Sequence, residues 1–461
     1  MPLLLINLPG TSVRMPEEHC GLAILKAVAE TKDVHTDILD AYAMRLSLED
    51  CLIAVGKWLK ERQLDEQLYI GIAPFVTSYE SFLAVGRFIK EHRVDCLVFA
   101  GGHFATLNRN YLLEHCSWLD AIIVGEGDLT LIEMLTAKSS GEIPGVCWHG
   151  KEHKFIPRRR ITDLDNLPFQ ARYLTLAELR GQPFAITTSR GCYGDCSFCS
   201  ISRFYKENGL VKQTCRSAAS VSEEIHQLVK NYGISALKIV DDNFFRADAD
   251  AFLDELTERI ADLHLSFRLS ARPNDITPYR AKKLREMGAV VVAIGAESAS
   301  AESLRFFNKG IGLDCSERAI AYLTENGITC LVNFIMFDPI IDFDGLKQNY
   351  RFVAKYADSA LFHRINSHLW LRSTDPIAMS LEKMGLCQRQ GFPYLSYNYK
   401  HKDVENIFNK FDKWCRGGME EYYRVADILM AGGIHGNLQI YKQYRELLYR
   451  DLAVLQEMLF E

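Results

Sequence analysis

Short apolar runs alternate with amphipathic segments along most of the chain. "LLLINLP", "VHTDILDAY", "LYIGIAPF", "CLVFAGGH" and "AIIVGE" read as strands, while "CGLAILKAVAE", "YESFLAVGRFIKEH" and "DLTLIEMLTA" carry helical spacing. Over residues 1–150 this alternation predicts an α/β fold with a doubly wound, Rossmann-like and mostly parallel sheet. Such sheets hold ligands beyond the carboxyl ends of their strands. Those ends are expected at Pro9-Gly10-Thr11-Ser12, at Pro74 to Ser78, at Gly101-Gly102-His103 and at Gly125-Glu126-Gly127. Small glycine-rich loops at one edge suit a broad, flat cofactor; they also suit plain turn chemistry.

Residues 151–183 lose the periodicity and carry Pro157, Pro168 and the run Arg158-Arg159-Arg160, which reads as a linker with a solvated or interdomain basic patch. Over 184–375 the alternation returns. "FAITTS", "ALKIVDD", "SFRLSAR", "VVVAIGAES", "TCLVNFIMF" and "INSHLWL" are candidate strands, separated by helical stretches such as "SAASVSEEIHQLVKNY" and "CSERAIAYLTENG". About six β/α units predict a partial or complete parallel β/α barrel, with its site at the carboxyl ends of the strands. Residues 376–461 read as a mainly helical segment that caps the barrel mouth and ends in an amphipathic helix.

Composition adds boundaries to this picture. A chain of 461 residues is too long for one hydrophobic core. Its net charge of -6 argues against general nucleic-acid binding, which wants a basic footprint. No apolar run approaches the ~20 residues of a membrane span. "MPLLLINLPG" lacks a basic flank and a small-residue cleavage site, so it reads as a first strand and not as a signal peptide. The 13 cysteines, odd in number and scattered, suit a reducing cytoplasm better than a disulfide framework.

Three of those cysteines crowd into "TSRGCYGDCSFCSISRFY": Cys192, Cys196 and Cys199. A structural zinc site closes four ligands, commonly as two cysteine pairs, and Cys215 is distant and unpaired. A redox dithiol would use Cys196 and Cys199 and ignore Cys192. A cubane iron–sulfur cluster with one iron left open uses all three, and it fits the spacing better than zinc or a dithiol.

Cys192-Tyr193-Gly194-Asp195-Cys196-Ser197-Phe198-Cys199 resembles the cluster motif of the radical S-adenosylmethionine (SAM) superfamily. "KIVDDNFF", "SARPND", "AIGAESASAESLRFFNKG" and "LVNFIMFDP" extend the resemblance, and "AGGHFAT" with "VGEGDLTLIEML" is similar to the cobalamin (B12)-binding domain that precedes the barrel in one subgroup. The resemblance implies a [4Fe-4S] cluster held by Cys192, Cys196 and Cys199. SAM would chelate the open iron and be cleaved by one electron to a 5′-deoxyadenosyl radical that abstracts hydrogen. It further implies a small-molecule substrate and an external reductant of flavodoxin or ferredoxin type.

By the same resemblance Ser270 and Arg272 suit the SAM carboxylate and ribose, and Glu297 its ammonium or ribose, although an Arg272–Glu297 ion pair would serve structure alone. Phe198 would pack beside the adenine or simply join the core. Asp241 and Asp242 would meet the SAM ammonium or a substrate amine, or cap a helix. Asn243 and Asn333 complete the cofactor shell, and Tyr205 stands near it. The front segment lacks the Asp-x-His-x-x-Gly by which a histidine replaces cobalamin's lower ligand; His19 and His103 occupy other contexts. Phe337-Asp338-Pro339 stands where many relatives have a glycine-proline turn. Two reactions follow from the resemblance: cobalamin-assisted methylation of an unactivated carbon, or cobalamin-independent dehydration, deoxygenation or rearrangement with a vestigial front domain. A non-enzymatic iron–sulfur or zinc protein is the reading from a different class.

Overall fold

The structure, a computed structural model, describes residues 1–10, 17–63, 65–137, 142–207, 209, 212–388 and 391–460. Thr11 and Ser12 of the first expected strand-end loop lie outside the described residues. The chain divides into two compact units, one of residues 1–186 with 200–215 and one of residues 187–199 with 216–461.

The first unit is built on a sheet of β1 (Leu3–Asn7), β2 (Thr36–Asp40), β3 (Tyr69–Ala73), β4 (Leu97–Ala100), β5 (Ala121–Ile123) and β6 (Val146–Trp148), in the order β2-β1-β3-β4-β5-β6. All neighbours run parallel except β5 and β6. Every residue of β1 is buried, as a central strand with both faces covered requires. Its apolar "LLLI" run is continuous for that reason and does not alternate.

Residues 151–183 contain only single 3-10 turns. The basic run is not uniformly solvated. Arg160 is buried, ion-paired with Glu126 at 3.5 Å, donates to Thr214 Oγ1 at 3.0 Å and lies 4.0 Å over the Tyr205 ring. A carboxylate, a hydroxyl and a ring face together offset the cost of taking the guanidinium out of water. The unit also holds β7 (Phe184–Ile186) and β9 (Gln213–Cys215), with β8 (Ser189–Gly191) opening the next one.

In the second unit β10 (Ala236–Ile239), β11 (Ser266–Ala271), β12 (Ala289–Glu297), β13 (Thr329–Phe334) and β14 (Ala360–Phe362) lie side by side in sequence order, all parallel. Helix Ala218–Tyr232 leads into β10 and Pro278–Met287 joins β11 to β12, started by the caps Ser217 and Thr277. Sequential parallel strands with intervening helices make a partial β/α barrel. "INSHLWL" is not a regular strand. Ser367 accepts the Met336 N–H and donates to Phe334 O with its hydroxyl, and only an isolated bridge joins His368 to Phe337. A side chain there stands in for part of the ladder.

Residues 376–461 are mainly helical, with Lys402–Cys415, Met419–Gly432 and Leu438–Phe460 the longest helices. They reach further than the mouth. Ile434 N–H donates to Thr329 Oγ1 at 2.8 Å, at the amino end of β13, and Arg268 donates to Met430 O at 3.1 Å. This part of the segment closes the foot of the barrel, whereas Phe408 packs on Phe337 beyond the carboxyl end of β13. Among the described residues no helix is long and apolar enough to cross a membrane, and all 13 cysteines are free thiols.

Candidate active site

The thiol loop begins where β8 ends, and the residues after β10 secure it. Asp241 is buried and accepts hydrogen bonds from Thr188 N–H at 2.7 Å, from Ser189 Oγ at 3.0 Å and from Thr188 Oγ1. Burial pushes its carboxyl up and these donors pull it back. Asp242 accepts from Gly191 N–H at 2.9 Å, next to Cys192. Paired acids at this strand end therefore brace the backbone that feeds the loop. Neither serves as a helix cap.

Asn243 is fully buried and joins three segments. Its Oδ1 accepts from Arg272 N–H at 2.9 Å, and its Nδ2 donates to Phe245 O at 2.8 Å and to Asp275 Oδ2 at 3.0 Å. Asp275 in turn accepts from Tyr193 Oη at 2.9 Å. The loop is thus tied through Tyr193, Asp275 and Asn243 to the turn after β11.

Within the loop, Cys199 N–H donates to Cys196 O at 3.1 Å, and Gly194 N–H donates to Cys192 Sγ at 3.4 Å. Arg272 Nη1 donates to Cys196 Sγ at 3.4 Å. Burial pushes the Cys192 thiol up. Among the described residues, no three His, Cys, Asp or Glu side chains gather as a metal ion would need.

The far end of the loop is held by Ser197, which donates from N–H to Phe307 O and from Oγ to Phe306 O, each at 2.8 Å, and accepts from Ile377 N–H at 2.9 Å. The Phe198 ring meets Phe307 edge-on at 5.2 Å, against an apolar cluster that includes Leu369 and Leu371. Phe198 is partly buried, at the edge of that cluster.

At the end of β12, Glu297 pairs with Lys309 and not with Arg272: Lys309 Nζ is 2.8 Å away and both side chains are largely buried. Glu297 adopts φ +66°, a conformation of noticeable cost for a residue with a side chain. Gly295 permits the pair, because a Cβ there would stand 2.4 Å from Glu297 Oε1 and 2.8 Å from Lys309 Nζ. Arg272 Nη2 donates to Lys309 O at 2.6 Å. Ser270 is half-buried, and its carbonyl accepts from Phe244 N–H at 3.0 Å. Registers of β11, β12 and β13 place Ser270, Gly295 and Asn333 on one face. Asn333 is the exposed residue of an otherwise buried strand. Lys309, Tyr193 and Asp275 lie inside the quoted segments, but no role is legible for them in the sequence; their roles emerge from the side chains and backbone they meet in the fold.

The profile of the radical SAM superfamily matches residues 186–353. Over 331 residues the sequence is 30% identical to an uncharacterized methyltransferase of Pyrococcus horikoshii, covering 69% of each chain. The chain belongs to the radical SAM superfamily. A second relative of this radical SAM protein is cytidylyl-2-hydroxyethylphosphonate methyltransferase of Streptomyces wedmorensis, 25% identical over 85% of this chain and 82% of the other. Among solved structures, the cobalamin-dependent S-adenosylmethionine radical enzyme OxsB with aqua-cobalamin and S-adenosylmethionine bound superposes at a TM-score of 0.80. It covers 98% of this chain and 72% of its own at 16% identity, a likeness of fold.

Membership implies a [4Fe-4S] cluster and SAM, and the donor set fits: three thiols on one loop, braced at both ends. Gly102, at φ +86°, has no atom within 4 Å of where a Cβ would stand, and Gly101 would meet only Ile123 at 3.8 Å. Bare backbone at the strand ends fits a flat macrocycle. His19 Nδ1 accepts from Leu22 N–H at 3.1 Å, capping helix Cys20–Glu30. Burial pushes its pKa down, so the neutral ring carries its proton on Nε2 and its acceptor nitrogen is already used. His103 stacks on Phe204 with ring centroids 3.9 Å apart.

Proposed function

We propose that this radical SAM enzyme is a cobalamin-dependent methyltransferase acting on an unactivated carbon of a small molecule or natural-product intermediate. The observation that carries the reading is the match to methyltransferases across both halves of the chain, above all the one covering 85% of it. When bound, the cluster and SAM would supply one-electron carbon–sulfur cleavage and cobalamin would supply the methyl group.

In this reading Cys192, Cys196 and Cys199 hold three irons and leave the fourth for SAM. Ser270, Glu297 and Asn333 line the strand-end face that receives SAM, and Lys309 anchors the Glu297 side chain. Asp241, Asp242 and Asn243 position the loop and transfer no proton. Phe198 fixes the loop against the C-terminal core. Gly101 and Gly102 offer backbone to the corrinoid. The small-molecule substrate is unnamed, and the class needs a one-electron reductant, which we assign to a flavodoxin or ferredoxin. Thirteen free thiols suit a reducing cytoplasm.

The test is anaerobic reconstitution with iron and sulfide, then incubation with SAM and dithionite as the electron donor, with and without hydroxocobalamin, followed by mass spectrometry of the SAM-derived products. Formation of both S-adenosylhomocysteine and 5′-deoxyadenosine, dependent on corrinoid, is expected. Formation of 5′-deoxyadenosine alone, at a rate indifferent to corrinoid, would overturn methylation in favour of dehydration, deoxygenation or rearrangement.

A further inference from the structure

The guanidinium of Arg272 is held in a way that suits a neighbour of the cluster better than a direct SAM ligand. Nη2 is committed to Lys309 O at 2.6 Å, the backbone N–H to Asn243 Oδ1 at 2.9 Å, and Nη1 points to Cys196 Sγ at 3.4 Å. The group lies 5.2 Å over the Tyr193 ring, and that tyrosine is fixed by Asp275 and Asn274 at 2.9 and 2.8 Å. Gly194 independently points the same way. A Cβ at 194 would stand 2.3 Å from Arg272 Nη1 and 3.4 Å from Cys192 Sγ. The glycine between the first two cysteines therefore leaves the space into which this cation fits.

We infer that Arg272 tunes the cluster: a charge-assisted hydrogen bond to the Cys196 sulfur raises the cluster's reduction potential and so eases the electron transfer that begins SAM cleavage. This rests on the radical SAM reading of the loop. A donor aimed at a cluster sulfur and a fixed positive charge both favour the more negative, reduced state. Arg272 is in this respect a positioning residue acting through Cys196, and Gly194 sets its approach.

The experiment is an EPR-monitored redox titration of the anaerobically reconstituted full chain. It compares the wild type with Arg272→Met, Arg272→Lys and Gly194→Ala, with iron and sulfide content measured for each. The expected result is full cluster content, with the midpoint potential shifted negative in Arg272→Met and Gly194→Ala and less so in Arg272→Lys. A loaded Arg272→Met cluster with the wild-type potential overturns the inference. So does loss of the cluster from both Arg272→Met and Gly194→Ala, which would make the pair a structural prop. A wild type that assembles no four-iron cluster instead sinks the reading of the loop itself, so the two failures are distinguishable.

Discussion

Lys309 Nζ stands 2.8 Å from Glu297 Oε1 at the carboxyl end of β12, with side chains 5% and 12% exposed. Their burial makes the pair costly to break, because removing one partner strands a charge in a poor solvent. Lys309→Met should lower unfolding free energy by about 3 kcal/mol, and Lys309→Met combined with Glu297→Gln should recover part of it. Chemical denaturation of the two variants tests this; equal losses would show that the lysine contributes packing and not charge.

Asp338 gives a pH signature. It is fully buried, accepts from Ser303 Oγ at 2.6 Å and from the Ile340 and Ile341 N–H groups at 3.0 Å, and burial pushes its carboxyl up to about 6. The folded protein then binds its proton more tightly than the unfolded chain. The contribution is fully present below the ordinary carboxylate value of 3.8 and is lost as pH rises to about 6. At about 1.4 kcal/mol per pH unit, the loss amounts to about 3 kcal/mol. Burial of Asp451 works in the same direction. Asp338→Asn should flatten that part of the stability–pH curve, and a curve of unchanged slope would refute the assignment.

The cysteines differ in what they should do to metal content. Cys196→Ala is expected to abolish iron retention and SAM cleavage while circular dichroism and melting temperature change little, since the loop is braced by Asp241, Asp242 and Ser197. Cys215→Ala should leave iron content at the wild-type level. Iron loss in Cys215→Ala would argue for a fourth protein ligand and against an open iron.

The thiol loop is legible in the sequence because its chemistry is local: three ligands crowded into one short stretch. Strand-and-helix alternation is legible for the same reason, since each element buries its own periodic face. What needs a distant partner is not. Arg160 reads as part of a solvated run until Glu126 and Tyr205 are folded against it. Lys309 lies in the segment "AIGAESASAESLRFFNKG", yet nothing in the sequence pairs it with Glu297, which reads there as a SAM contact or as an ion-pair partner of Arg272. "INSHLWL" has strand composition, yet the short apolar run before it forms β14, and the Ser367 hydroxyl makes hydrogen bonds that a ladder would otherwise make. The aspartates at 241 and 242 are visible as paired acids, but their donors belong to residues more than fifty positions earlier.

Residues 200–215 group with the first unit although they follow the last cysteine of the thiol loop, Cys199, which groups with the second. A gene fusion that exchanged the front module at residue 186 would carry a mismatched stretch inside the recipient's barrel sequence. Module shuffling would thus have to move two pieces of coding sequence together, and a laboratory chimera that grafts both should fare better than one joined at a single seam.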